Sequence, residues 1–210
     1  VLYGLFQARK AIRKQDEAIF VEGYTDVISL HQAGVENVVA TSGTSLTEGQ
    51  IGLVKRLTPN VLLLFDGDPA GLKAALRGVD MLLAQDVNVR VVALPEGQDP
   101  DSYVQKVGKE AFLEFLAENA RDFILFKTDL LLQQTKGDPV KKAGLVTDVV
   151  ESIAKIPDPI KRSVYVKECA GLLDMDEQTL IDVTNKLVAR QIRDRRRRQD
   201  REEAHSLSTG

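Results

Sequence analysis

The chain has 210 residues, room for one generous domain or two small ones, and enough to bury a real core. Hydrophobic residues make up 43% and charged residues 28%, a balance that excludes a disordered chain. The formal net charge is −3, so the chain as a whole is no polyanion binder, and any affinity for nucleic acid must come from a local patch or from metal ions.

In chain order, "GLFQARKAIRK" (4–14) reads as a short helix and "EAIFVEG" (17–23) as a strand ending in glycine. "YTDVISLHQAG" (24–34) is helical and stops at a C-terminal glycine. "NVVAT" (37–41) is a short buried strand, "SGTS" a turn, and "LTEGQIGLVKRL" (46–57) a helix with Thr47 as its N-cap. "NVLLLF" (60–65) is the most apolar strand, "PAGLKAALRGVDMLLAQ" (69–85) a helix opening on proline, and "NVRVVALP" (88–95) a fourth strand. Strands alternating with helices over short loops predict an open parallel sheet covered on both faces. Such sheets carry ligands beyond the carboxyl ends of their strands.

After about residue 102 the strand signal disappears. The segments 109–120, 121–135, 138–156, 158–173 and 176–200 all have helical periodicity. Asp138-Pro139 and Asp158-Pro159 read as an N-cap followed by a first-turn proline. A second, all-helical unit is predicted, with a polar end, "EEAHSLSTG", that frays or serves as a linker. The chain opens on Val1 in mid-pattern, which predicts a piece of a longer protein. The lone Cys169 can form neither an internal disulfide nor a zinc site and reads as a small buried hydrophobe in a reducing compartment. No apolar run approaches a membrane span, and no signal peptide is legible.

Acidic groups sit at successive predicted strand ends: Glu22 with Asp26 one helical turn later, then Asp66 and Asp68, then Asp99 and Asp101 in "LPEGQDPD". In an extended segment, residues two apart project to one side, so Asp66 and Asp68 can share one space, as can Asp99 and Asp101. Gly23 and Gly67 allow tight turns and close ligand approach. Gathered like charges raise one another's pKa unless a cation neutralises them. All the candidate ligands are carboxylate oxygens, which suits Mg²⁺ or Mn²⁺ and, with substrate phosphates, metal-dependent phosphoryl transfer. Surface carboxylates without function are the plainer alternative.

A glutamate-glycine after one strand and D-x-D after a later one resemble the Toprim domain, which is shared by bacterial primases, topoisomerases, some nucleases and recombination mediators. "LYGLFQARKAI", "VEGYTDVISLHQAG", "VATSGTSLT", "LLFDGDPAGLKAALR" and "LPEGQDPDSYV", spread over residues 2–104, together resemble the catalytic core of the bacterial replicative primases of the DnaG type. The resemblance implies an α/β Toprim fold, a mostly parallel sheet flanked by helices, followed by an all-helical subdomain. It divides the chain into a Toprim catalytic subdomain at 1–104, a helical subdomain at 105–192 and a polar tail at 193–210. It implies Glu22 as an acid/base or metal-organising group, Asp66 and Asp68 as principal metal ligands, and Asp99, Asp101 and Asp26 as further members of the cluster. Thr25 stands where these primases often have methionine.

The implied reaction is synthesis of short RNA primers on single-stranded DNA from ribonucleoside triphosphates, with Mg²⁺ or a substituting Mn²⁺. Zinc is expected only in an N-terminal module absent from this chain, and the replicative helicase is expected to bind through an absent C-terminal module. The implied setting is the bacterial cytoplasm, at replication forks on the nucleoid. This part alone is expected to make primers poorly. A Toprim nuclease or topoisomerase piece is the alternative reading, and a non-enzymatic Toprim scaffold a third.

Arg9, Lys10, Arg13 and Lys14 on the first helix are either a solvated face or a phosphate contact. Lys73 and Arg77, one turn apart on the helix after "DGDPAG", have the same two readings. The run Arg195 to Arg198 could contact nucleic acid, but its acidic neighbours favour a solvated helix end. His31 is expected to pack or hydrogen-bond rather than bind metal, and Tyr24 to pack at a helix start.

Overall fold

The computed structural model describes residues 2–41, 46–67, 79–135 and 137–208, with the backbone alone for 201–208. Its apolar segments pair side by side as β1 (Ala18–Val21), β2 (Val38–Ala40), β3 (Asn60–Gly67) and β4 (Asn88–Glu96). Helix α1 (Leu5–Gln15) precedes them; α2 (Tyr24–Gln32), α3 (Glu48–Lys55) and the helical residues 79–84 (α4) lie between them. The sheet order is β2-β1-β3-β4-β5, parallel except for β5 (Arg121–Asp122), which pairs antiparallel with β4 at the edge. Sequence periodicity misses β5 because two residues have no period to read. The predicted turn at 42–45 and the first part of the predicted helix over 69–85 lie outside the described residues.

β1, β2 and the body of β3 are buried on both faces, as parallel strands under helices require, whereas β4 leaves Asn88, Arg90 and Ala93 exposed. Ile19, Val21, Val38, Ala40, Leu62, Leu64, Val92 and Leu94 form one face of the core with Val27 and Leu30 of α2. Val104 of α5 (Pro100–Val107) and Phe112 and Leu116 of α6 (Lys109–Asn119) complete that layer. The alternate strand residues, such as Phe20, Val61, Leu63 and Val91, are equally buried and point the other way.

Two compact units result, Val1–Lys127 and Thr128–Gly210, the division falling within α7 (Phe123–Thr135). In the second, α8 (Pro139–Lys155), α9 (Pro159–Leu173) and α10 (Glu177–Ser208) contact one another through Val149, Val150, Ile153, Val166, Leu173 and Leu180. Asp138 caps α8, accepting from the Val140 and Lys141 amides at 2.9 and 3.2 Å, and Asp158 caps α9, accepting from Ile160 and Lys161 at 2.7 and 3.3 Å. Cys169 is fully buried, its Sγ 3.6 Å from Thr128 Oγ1. The backbone of α10 stays helical to Ser208, through the segment read as a frayed end. Among the described residues, no helix is long and apolar enough to cross a membrane.

Candidate metal centre at the strand ends

β1 lies between β2 and β3, so the connections leaving β1 and reaching β3 run to opposite sides of it. A crevice opens at such a reversal, beyond the carboxyl ends of the strands, and is where open α/β sheets bind ligands. Glu22 follows the last residue of β1 and is exposed; Asp66 is the penultimate residue of β3 and half-buried. Beside Asp66 the β3–β4 register slips, from Phe65 opposite Ala93 to Gly67 opposite Glu96. Two steps on β3 thus face three on β4. Bulges of this kind re-aim side chains next to sites.

Asp26 is on the first turn of α2 and only 9% exposed. Its Oδ2 accepts the Gly23 amide at 3.1 Å. The glycine suits this contact: a Cβ there would stand 3.0 Å from Asp26 Oδ2 and 3.3 Å from Thr25 Oγ1. Burial pushes the Asp26 carboxyl above the usual aspartate range, the Gly23 N–H pulls it back, and the charges of Asp66, Asp99 and Asp101 push it up again. The structure therefore brings Asp26, Asp66, Asp99 and Asp101, from three segments remote in sequence, within electrostatic reach of one another.

Asp99 and Asp101 do not lie in an extended segment, contrary to the sequence reading. Asp99 is the N-cap of α5, its Oδ1 accepting the Ser102 amide at 2.7 Å, and Asp101 stands in the first helical turn. Hydrogen bonds from the Ser102 backbone and side chain hold the Asp99 carboxyl below its usual range. Asp101 accepts from Gln105 Nε2. Asp99-Pro100 carries the same cap-and-proline signal as Asp138-Pro139 and Asp158-Pro159, which is how the sequence could have revealed α5.

Asp68, Lys73 and Arg77 lie outside the described residues. Arg9, Lys10, Arg13 and Lys14 are exposed on α1. Tyr24 opens α2 with its ring centroid 5.8 Å from that of Tyr3. His31 is partly buried, and its Nε2 has no hydrogen-bond partner among the described residues.

Among the described residues, no group of three His, Cys, Asp or Glu side chains stands ready to enclose a metal ion. The donor set nevertheless fits a hard divalent cation. Every member is a carboxylate, and the repulsion that adds to burial in raising Asp26 is what a bound cation would neutralise.

Comparison with known proteins agrees with this geometry. Residues 19–104 match the family model described as Toprim-like, and residues 126–178 match that of the DnaB-helicase binding domain of primase. The second match falls where a plain helical subdomain was expected, with helicase binding assigned to an absent module. The DNA primase of Staphylococcus epidermidis is 38% identical over 180 residues, covering 86% of this chain and 30% of that protein. This chain thus spans under a third of that relative's length. The crystal structure of a DNA primase domain from Pseudomonas aeruginosa superposes with a TM-score of 0.77 at 35% identity, over 90% of this chain and 59% of that one. A DnaG primase catalytic domain bound to single-stranded DNA superposes with a TM-score of 0.71 at 35% identity, over 81% and 56% of the two chains. These similarities favour the primase reading over a nuclease or topoisomerase piece. Primases and Toprim domains depend on divalent metal ions, in keeping with the all-carboxylate donor set. With both matched segments in order and the same core fold, the chain belongs to the bacterial DnaG-type primase family.

Proposed function

We propose that this chain supplies the metal-binding half of a replicative primase active site, where short RNA primers are made on single-stranded template DNA. The observation that carries the reading is Asp26 at the strand-order reversal, its carboxyl raised first by burial and then by the charges of Asp66, Asp99 and Asp101. Asp66 and Asp68 are the principal ligands in this reading, Asp26, Asp99 and Asp101 complete the cluster, and Glu22 organises it or moves a proton. The ion is Mg²⁺, with Mn²⁺ able to substitute; bound there, it lowers the pKa of the attacking hydroxyl and offsets phosphate charge. A primer 3′-hydroxyl attacks the α-phosphorus of a ribonucleoside triphosphate. The new P–O bond replaces the bond to pyrophosphate, which leaves, and the hydroxyl proton passes to Glu22 or water.

Lys73 and Arg77, and Arg9, Lys10, Arg13 and Lys14, contact phosphates in this scheme. The division of labour is a Toprim subdomain at 1–104, a helical subdomain at 105–192 and a tail at 193–210. The match of 126–178 to a helicase-binding domain supports a replicative helicase contact within the helical part. Zinc belongs to a module outside this chain, and the whole works in the bacterial cytoplasm at replication forks.

Calorimetric titration of Mn²⁺ into the chain, beside the double variant Asp66→Ala, Asp68→Ala, tests the reading. Saturable binding that the variant loses is expected. A wild-type chain that takes up no Mn²⁺, or a variant that binds as well as wild type, would sink it.

A further inference from the structure

Helix α1 buries Ala8, Ala11 and Ile12 and turns a different set of residues to solvent. Phe6, Arg9, Lys10 and Arg13 follow one another at i, i+3, i+4 and i+7, with Lys14 adjoining, and all are exposed. At 3.6 residues per turn they cover about 140° of the helix surface, with Phe6 near the middle. The helix, "LFQARKAIRKQ", contains no acid, in a chain whose net charge is −3. The side chains of Arg9, Lys10, Arg13 and Lys14 make no ion pair or hydrogen bond with any described residue. The acids that follow are engaged elsewhere: Asp16 with Thr58 and Asn60, and Glu17 with Arg90. Phe6 is 80% exposed.

The place of this face matters as much as its composition. The first turn of α1 is held against α2. Gly4, the N-cap residue at φ +78°, approaches so closely that a Cβ would lie 2.8 Å from Val27 Cγ1 and 3.2 Å from the Val38 carbonyl oxygen. Val27 is the neighbour of Asp26, and the Tyr3 ring, just before α1, meets that of Tyr24, just after Gly23. The amino end of α1, where Phe6 lies, therefore packs beside the first turn of α2, the turn that carries Asp26, and Arg13 and Lys14 lie about 10 Å further along the helix axis.

We propose that this face of α1 is a track for single-stranded template DNA, on which Phe6 is a base-stacking platform and Arg9, Lys10, Arg13 and Lys14 hold the phosphates. The inference rests on the reading of the acidic cluster as a primase centre. Cations flanking an exposed ring are what a single strand needs, because its bases offer π faces that a duplex hides. The face offers donors and a ring but no acceptor, so nothing on it calls for the hydroxyl donor of a ribose.

The test is fluorescence anisotropy of labelled oligo(dT) with the full chain over a range of salt, together with Phe6→Leu, Phe6→Tyr and the double variant Arg9→Gln, Arg13→Gln. Phe6→Leu is expected to weaken binding about tenfold without changing the salt slope, and Phe6→Tyr to restore it. The double variant should reduce the slope of log K against log salt by about 1.4, roughly 0.7 per lost phosphate contact. Unchanged affinity in Phe6→Leu, equal dependence on Phe6 for duplex DNA, or a preference for oligo(U) would overturn the track. Mn²⁺ calorimetry on the same proteins separates two failures. A wild type that binds Mn²⁺ but not oligo(dT) overturns the track alone; one that binds neither overturns the reading beneath it.

Discussion

The two ends of the parallel sheet treat their polar groups in opposite ways. At the amino end, Asp16 accepts from Thr58 Oγ1 at 2.8 Å and from Asn60 Nδ2 at 3.0 Å, and Asn60 Oδ1 accepts from Asn88 Nδ2 at 2.8 Å. Glu17 pairs with Arg90, and its carbonyl accepts from Asn37 Nδ2 at 3.0 Å. Asp16, Glu17, Asn60, Asn88 and Arg90 border a cavity of about 370 Å³, and the network ties the start of β1, β3 and β4 together. At the carboxyl end, Asp26 receives one amide and faces three further carboxylates. One end is closed by its own partners, except that Asn37 Oδ1 is buried without one among the described residues. The other gathers like charges around Asp26, which has no ion pair among the described residues, and a bound cation would relieve that repulsion.

The largest effect on stability is expected at the closed end. Asp16→Ala leaves the hydroxyl of Thr58, 2% exposed, without its acceptor, and places alanine at φ 51°, in the left-handed region. The combined cost is about 2 kcal/mol, part from the unsatisfied group and part from the backbone. Urea denaturation should show it, with Mn²⁺ binding unaltered. Asp16→Asn keeps an acceptor and tolerates the positive φ, so it should recover most of the loss. An unchanged midpoint in Asp16→Ala would mean that the network does not brace the sheet.

How much of this contrast the sequence reveals follows from the range of each signal. Strands β1 to β3 are legible because burial on both faces gives unbroken apolar runs, β4 because its valines and leucine recur around the exposed Arg90, and Thr47, Asp138 and Asp158 announce their helices through local caps. Glu22 and Asp66 stand out because charge at the end of an apolar strand is unusual, and Asp26 because it follows Glu22 by one helical turn. The amino-end network does not, since Asp16, Thr58, Asn60 and Asn88 are ordinary turn residues that meet only when β1, β3 and β4 align. Helix α5 was hidden by its own acids: Asp99 and Asp101 look like a second D-x-D, whereas one carboxylate caps a helix and the other rides its first turn. The register slip beside Asp66 depends on pairing with β4 and leaves no mark on either strand alone.

A smaller and pH-dependent effect is expected at the open end. The raised Asp26 carboxyl keeps its proton in the folded chain at pH values where the unfolded chain, near 3.8, has lost it. The folded state then binds more protons, so stability is greatest below the unfolded value and falls as pH rises toward the folded one. Asp26→Asn removes that fall while its side-chain oxygen can still accept the Gly23 amide. In EDTA the variant should melt above wild type at pH 7, the gap closing by about pH 3, below the unfolded carboxyl value. Mg²⁺ should narrow the gap at pH 7 by stabilising wild type more. A gap of equal size at both pH values would show that burial and like charge at Asp26 carry no energetic weight.

The smallest effect belongs to the ion pair that closes the amino end. Arg90 is 49% exposed and Glu17 20%, so their pairing is screened by water and salt. Arg90→Ala should cost about 0.5 kcal/mol, and the loss should shrink in high salt. The pair nevertheless sharpens the comparison, because Glu17 meets a cation built into the chain, whereas Asp26 makes no ion pair with a described residue. If added Mg²⁺ compensated the melting-temperature loss of Arg90→Ala, the two ends would be interchangeable cation sites and the contrast would fail. If Mg²⁺ stabilised wild type and Arg90→Ala by the same increment, the cation acts away from the Glu17–Arg90 pair, as expected if it binds where Asp66, Asp99 and Asp101 raise Asp26.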